Sequence, residues 1–197
     1  MLPVIDMETK RIFIAAEFPE PVLLDLSTLA GQLWPAVHQG IRWVPIHQLH
    51  LTLKFIGDTP IEMLPAIQQI CQNQISPLLH TPLILSGFGV FPNQHHPSVL
   101  WAGIQKVESI IHLQQKLEKN LASLGIPNEK RAFKPHLTLA RIKPYFPLNQ
   151  IEKLVAPINA KETIFHQETH VNKITIFESQ LTPKGAIYHP LASFQLP

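Results

Sequence analysis

HLTLKFIGD, from His50 to Asp58, and HLTLARIK, from His136 to Lys143, open on the same four residues. Side chains alternate faces along a β-strand, so His50 and Thr52 project together, roughly 6.7 Å apart at about 3.3 Å rise per residue, while Leu51 and Leu53 point into a core. The second copy repeats this with His136 and Thr138 outward and Leu137 and Leu139 inward. Elsewhere the halves share little sequence, yet each sets its His-x-Thr strand among similar strand and helix signals. A pseudo-two-fold arrangement would bring the two strands face to face. The pattern predicts an α+β fold of two lobes, each a small, mainly antiparallel sheet with helices outside, and a central cleft where the four polar side chains meet.

The rest of the 197 residues supports one domain, 1–197, made of two intertwined lobes: 45% are hydrophobic and 15% charged, an ordinary globular balance. Nineteen prolines punctuate many short elements, and no Ser/Gly-rich stretch marks a linker. A single cysteine, Cys71, excludes an intrachain disulfide, and residues 1–10 lack the basic, then apolar, layout of a signal peptide. The expected compartment is the cytoplasm. No apolar run approaches the length of about 20 residues that spans a bilayer. A net charge of +2 falls short of the basic balance of a duplex-gripping protein, and suits a small anionic ligand or an RNA end. The cations gather around the second motif as Lys130, Arg131, Lys134, Arg141 and Lys143.

Around the motifs, residues 10–17 read as a strand and 21–37 as a helix. Strands are expected at 41–44 and 49–56, the second closing at a Gly57-Asp58 turn, followed by a helix over 61–75. Residues 83–91 and 98–104 form a strand pair, and 106–124 carries the longest helical pattern, stopped by Gly125. A strand at 136–142 and a short helix at 148–156 follow. Strands at 163–166, 171–179 and 187–194 close the chain, the last two joined at Pro183-Lys184-Gly185.

A histidine in an apolar strand is usually structural, and this chain has eleven. Repetition of the whole tetrapeptide at symmetric places argues against that plain reading here. Metal catalysis has little support, because neither motif carries a carboxylate or thiol at ligand spacing. His166 and His170 lack the His-Glu-x-x-His order, and His95 and His96 read as surface. Cys71 sits in an apolar helical setting and no Gly-x-Ser-x-Gly occurs. Gly87-Phe88-Gly89 completes no nucleotide fingerprint and reads as a strand kink. What remains is a general base and a general acid on opposite sides of a phosphate, with two threonine hydroxyls donating to its non-bridging oxygens. Imidazole suits both jobs near neutral pH, and the near-symmetry of the motifs leaves acid and base unassigned. By alternation Lys54 shares the face of His50 and Thr52 and could attract phosphate. Alternation turns Arg141 away from His136 unless the strand ends or bulges there. Phe55 reads as core, and Tyr188 and His189 as packing outside the site.

These residues resemble the RNA 2′,3′-cyclic phosphodiesterases, or 2′-5′ RNA ligase-like proteins, of the 2H phosphoesterase superfamily. The likeness spans nearly the whole chain: besides HLTLKFIGD and PHLTLAR it includes RIFIAAEFP from Arg11, IRWVP from Ile41, GVFPN from Gly89, VLWAGI from Val99 and ESQLTPKGAIYHPL from Glu178. The resemblance implies a bilobal fold, no cofactor and no metal. It implies hydrolysis of an RNA 2′,3′-cyclic phosphate end to a 2′-phosphomonoester, with weak reverse 2′-5′ ligation. By that likeness His50 is the proton donor to the leaving 3′-oxygen and His136 the acceptor that activates water. Thr52 and Thr138 bind the phosphate, and Arg141 matches the family's arginine near the substrate. Two rival functions keep a place: a phosphodiesterase for small cyclic or 2′-5′-linked nucleotides, and a non-catalytic RNA-end binding module. No protein partner is implied, and the chain is expected to act as a monomer.

Overall fold

The computed structural model describes residues 8–37, 39–74, 81–160, 165–183 and 185–196. In chain order these form β1 (Thr9–Glu17), α1 (Glu20–Leu33), β2 (Ile41–Trp43), a 3-10 turn (Ile46–Gln48), β3 (Leu51–Pro60), a second 3-10 turn (Ile61–Met63), α2 (Leu64–Gln74), β4 (Leu83–Phe91) and β5 (Val99–Gln105). Then come α3 (Glu108–Ala122), β6 (His136–Ile142), α4 (Leu148–Asn159), β7 (His166–Thr169), β8 (Lys173–Thr182) and β9 (Gly185–Gln195).

The second residues of the two motif copies, Leu51 and Leu137, are cross-strand partners where β3 meets β6. Beyond β3 lie β1, β8 and β9, and beyond β6 lie β5, β4 and β7, so four strands extend to each side of the seam. The two halves expected from the repeated motif are thus joined edge to edge as one antiparallel sheet. The remaining strand, β2, pairs with β6 further along, at Ile41–Ile142 to Trp43–Ala140.

The helices cover the apolar side. In α3, Ile110, Leu113, Leu117 and Leu121 recur at three- and four-residue spacing and are all buried, and Gly125 ends the segment with a φ of +81°. Helix α1 buries Leu23, Leu26 and Ala30 but stops at Leu33, short of the expected 37. Pro35 disfavours the helical conformation at Trp34, whose indole instead donates to the carbonyl of Leu154 in α4 at 2.8 Å. Helix α4 runs past 156 to Asn159. The Gly57-Asp58 turn is not formed: both residues stay in β3, opposite Ile12 and Arg11. Of the strand expected at 163–166, the described part begins at His166 and runs on to Thr169, where pairing with β4 defines this edge strand. Thr163 and Ile164, Ile75 at the end of the second expected helix, Lys184 of the last turn and the first seven residues lie outside the described residues.

Two bulges govern which side chains reach the cleft. Ala15 of β1 pairs with Thr52 but Ile14 pairs with Lys54, so Leu53 is an extra residue in β3. Trp101 of β5 pairs with Thr138 but Leu100 pairs with Ala140, so Leu139 is an extra residue in β6. An extra residue inverts the facing of everything after it. Lys54 is therefore turned to the helix side, correcting the expectation from strict alternation. Its ammonium is buried and donates to Glu118 of α3 and to the Pro127 carbonyl, each at 2.7 Å. Gly87, with φ +70°, marks a further bulge, in β4, which is the kink expected there.

Replacing Lys54 by Met keeps the aliphatic stem but takes the cation from a partly buried carboxylate, which keeps only neutral donors, and the donor from the Pro127 carbonyl. Thermal or urea unfolding should show a loss on the order of 2 kcal/mol. Affinity for inorganic phosphate should stay within about twofold of the wild type, because the ammonium faces away from the cleft.

Candidate active site

His50 immediately precedes β3 and His136 is the first residue of β6. Because Leu51 opposes Leu137 in an antiparallel pair, each histidine is directed toward the threonine of the other copy. His50, Thr52, His136, Thr138 and Arg141 line one cleft of about 950 Å³, and Lys54 is not among its lining residues.

Both imidazoles are anchored in the same way. The Nδ1 atom of His50 lies 2.7 Å from the carbonyl oxygen of Gln48, and that of His136 lies 2.6 Å from the carbonyl oxygen of Lys134. A carbonyl only accepts, so in each ring Nδ1 carries the hydrogen and Nε2 is left for chemistry. A proline helps shape each approach: Pro45 opens the 3-10 turn before His50, and Pro135 directly precedes His136.

Aromatic rings bed both histidines. Phe13 lies 5.1 Å from His50, and Tyr188 meets the same imidazole edge-on at 5.4 Å and 83°. On the other half, Phe91 meets His136 at 5.1 Å and 85°, with Trp101 behind at 6.4 Å. Gly89 is required there, since a Cβ at that position would run into the Trp101 ring.

These surroundings hold both imidazoles below their ordinary pKa of 6.5. Burial is the main cause for His50; the Gln48 carbonyl and Glu17 oppose it, while Arg141 and His136 add to it. Burial also dominates at His136, against the Lys134 carbonyl and reinforced by Arg141. An anion bound between the rings acts in the opposite sense and favours the imidazolium.

The bulge at Leu139 brings Arg141 to the face of His136 and Thr138, resolving the conflict with alternation. The matching bulge at Leu53 brings Phe55 out at the same offset from His50. Phe55 is 64% exposed in the cleft wall, which corrects its expected place in the core. Tyr188 also lines the cleft, contrary to its reading as outside packing, because the β8–β9 hairpin returns beside β1. Arg42, directly opposite Arg141 across β2 and β6, is a further lining residue. The motif offset shared by Phe55 and Arg141 could have flagged the first. Arg42 had no such signal, since only tertiary pairing sets β2 against β6. Among the described residues no three His, Cys, Asp or Glu side chains gather as a metal cluster, and the backbone N–H groups of His95 and His96 donate to Asn93 in an exposed turn.

Residues 29–182 match the family model described as the 2′-5′ RNA ligase superfamily. An RNA 2′,3′-cyclic phosphodiesterase of Methanothermobacter thermautotrophicus is 30% identical over 186 residues, covering 94% of this chain and 98% of the relative. One of Thermus thermophilus is 34% identical over 194 residues, covering 94% and 90%. Among solved structures, TT0787 of Thermus thermophilus superposes with a TM-score of 0.72 at 30% identity, covering 94% of this chain and 97% of the other. E. coli LigT complexed with 3′-AMP has a TM-score of 0.71 at 21% identity, covering 96% and 99%, a likeness of fold.

In the ligand-free protein, NMR titration of the imidazole resonances should give both His50 and His136 midpoints below 6.5, with the Nδ1–H tautomer in the neutral form. Inorganic phosphate should move both midpoints upward, and Arg141→Ala should raise both in its absence. A midpoint above the ordinary histidine value for either ring without phosphate would contradict the burial argument.

Proposed function

This chain belongs to the 2′-5′ RNA ligase superfamily, and on that premise we propose that it hydrolyses RNA 2′,3′-cyclic phosphate ends to 2′-phosphomonoesters through His50 and His136. One observation carries the reading. Two His-x-Thr strands meet on one wall of a cleft with both Nδ1 atoms committed to carbonyls, leaving two Nε2 atoms for proton transfer. A binding module would need neither imidazole oriented.

His136 takes a proton from water, whose oxygen attacks phosphorus. The bond from phosphorus to the 3′-oxygen breaks on the opposite side, and His50 gives its proton to that oxygen, so the phosphate stays on the 2′-oxygen. The donor and acceptor assignment follows the family resemblance, and the burial of both rings suits either sense. Thr52 and Thr138 donate to the non-bridging oxygens and Arg141 offsets the charge that develops there. Phe55 presents an exposed ring on which the terminal base can stack. With a 5′-hydroxyl in place of water as the attacking group, the same steps in the same direction leave a 2′-5′ linkage, which is the weak ligation. The steps use no metal and no cofactor.

The cleft draws residues from both halves of one chain, which supports a single catalytic domain over 1–197 acting as a monomer. Cys71 is a free thiol, which suits a reducing compartment, and we assign the enzyme to the cytoplasm. Among the described residues no helix is long and apolar enough to cross a membrane.

Hydrolysis of a cyclic-phosphate-ended RNA should survive EDTA; activity lost on chelation and restored by a divalent ion would overturn the mechanism. His50→Ala and His136→Ala should each lower kcat by about 10²–10⁴-fold with KM within a few-fold, and the double variant should be little worse than either. Thr52→Val and Thr138→Val keep a β-branched shape and should each cost about 1–3 kcal/mol in transition-state stabilisation. A folded His136→Ala protein with near wild-type kcat would eliminate the two-histidine chemistry.

A further inference from the structure

We propose that Arg42 binds a second phosphate of the substrate, that of the linkage immediately 5′ to the cyclic end, so that the cleft selects an oligonucleotide terminus over a cyclic mononucleotide. The proposal extends the function proposed above and rests on it.

Arg42 and Arg141 are direct cross-strand partners at the cleft wall. Like charges directly opposite each other on neighbouring strands destabilise a sheet, and anions that lie between or beside them remove the penalty. The two guanidiniums do not serve one point. Arg141 lowers the pKa of both imidazoles, whereas Arg42 sits one strand over, with its guanidinium against Gly185 of the other half. Arg141 therefore stands beside the reacting phosphate and Arg42 farther out, from a strand roughly 4.8 Å away.

The position of Arg42 is fixed by the opposite half of the molecule. Its guanidinium lies against Gly185 at the tip of the β8–β9 hairpin, and a Cβ on that residue would collide with it. Gly185 has a φ of +128°, which an L side chain rarely adopts, and its carbonyl accepts a 2.6 Å hydrogen bond from the Thr182 hydroxyl. The arginine thus reaches from β2 in one half to Gly185 of the other, across one end of the cleft, and packs against it. Such preorganisation lowers the entropy cost of gripping an anion.

A cyclic phosphate offers two non-bridging oxygens, and Thr52, Thr138 and Arg141 suffice for them. An RNA strand carries a further anion one nucleotide upstream. Phe55 and Ile187, both exposed in the cleft wall, leave an apolar surface for the base on the His50 side. Among the described residues, the Lys, Arg, Asp or Glu side chains that line the cleft are Arg42, Arg131 and Arg141.

The test is a binding comparison that does not depend on turnover. A deoxyadenylyl-adenosine dinucleotide ending in a 2′-phosphate is made with a natural internal linkage and with a neutral methylphosphonate in its place. Titration calorimetry on the wild type should show the natural dinucleotide bound about tenfold more tightly. Arg42→Ala should reduce that preference to within about twofold, and Arg42→Lys should keep part of it as a point charge without the planar fork. The slope of log affinity against log salt for the natural dinucleotide should fall by about 0.7 in Arg42→Ala. Wild type without a preference overturns the proposal. So does an Arg42→Ala protein that weakens both ligands equally, which would assign the arginine to the terminal phosphate. Arg42→Gln serves as a second variant, with thermal unfolding as the folding control. Turnover of a cyclic-ended RNA, measured alongside, bears on the enzymatic reading alone, so failure of that reading and failure of this one are told apart.

Discussion

Leu51 and Leu137 face each other at the middle of the sheet, both almost wholly buried, and their burial dictates what the other side of the sheet must carry. A strand has a period of two, so sinking these leucines into the helix layer puts His50, Thr52, His136 and Thr138 on the opposite face. A slip of one residue would bury four polar groups and expose the leucines, which makes the register strongly specified. The seam is also short. Beyond it β6 pairs with β2 in place of β3, while β5 and β1 hold the outer edges of β6 and β3, and the divergence leaves room for a cleft where a longer ladder would have closed the surface.

The cleft that results is symmetric in its chemistry and asymmetric in its walls. Each half supplies one imidazole, one hydroxyl, a backbone carbonyl that fixes the tautomer and an aromatic bed. The residue that follows each bulge then differs, Phe55 on one side and Arg141 on the other. A fold with two-fold strand order thereby receives a polar molecule in one direction, with an apolar wall for a ring and a cationic wall for phosphate.

The fold class was legible because the repeated tetrapeptide encodes both a face and a symmetry. His50, Thr52, His136 and Thr138 were legible for the same reason, being immediate neighbours of the seam. Alternation fails from the first bulge onward, and Lys54 and Phe55 exchange their expected faces as a result of one extra residue at Leu53. Nothing in Leu-Thr-Leu-Lys-Phe marks a bulge, since the extra residue is set by pairing with β1. Arg141 raised the conflict openly, and the same five-residue offset applied to His50 points to Phe55. Tyr188 and Arg42 depend on contacts between distant strands, β9 folding back beside β8 and β2 crossing to β6, and local patterning carries no record of either.

The histidines are oriented by carbonyl dipoles, and no Asp or Glu is among the described residues that line the cleft. Glu17 acts on His50 only from the neighbouring strand, where it is engaged with Thr175 and Lys173. A carboxylate partner would have anchored an imidazole and added a negative charge; a carbonyl anchors it without one. Such a cleft ranks ligands by how much negative charge they bring. A cyclic diester carries a single charge, whereas a phosphomonoester passes to a dianion with a second pKa near about 6. In the reaction proposed here the product is accordingly the more strongly attracted species. Escape from the cleft, rather than capture, becomes the step that the electrostatics oppose, and loss of the proton that His136 has taken up, before His50 is charged again, is what loosens the hold.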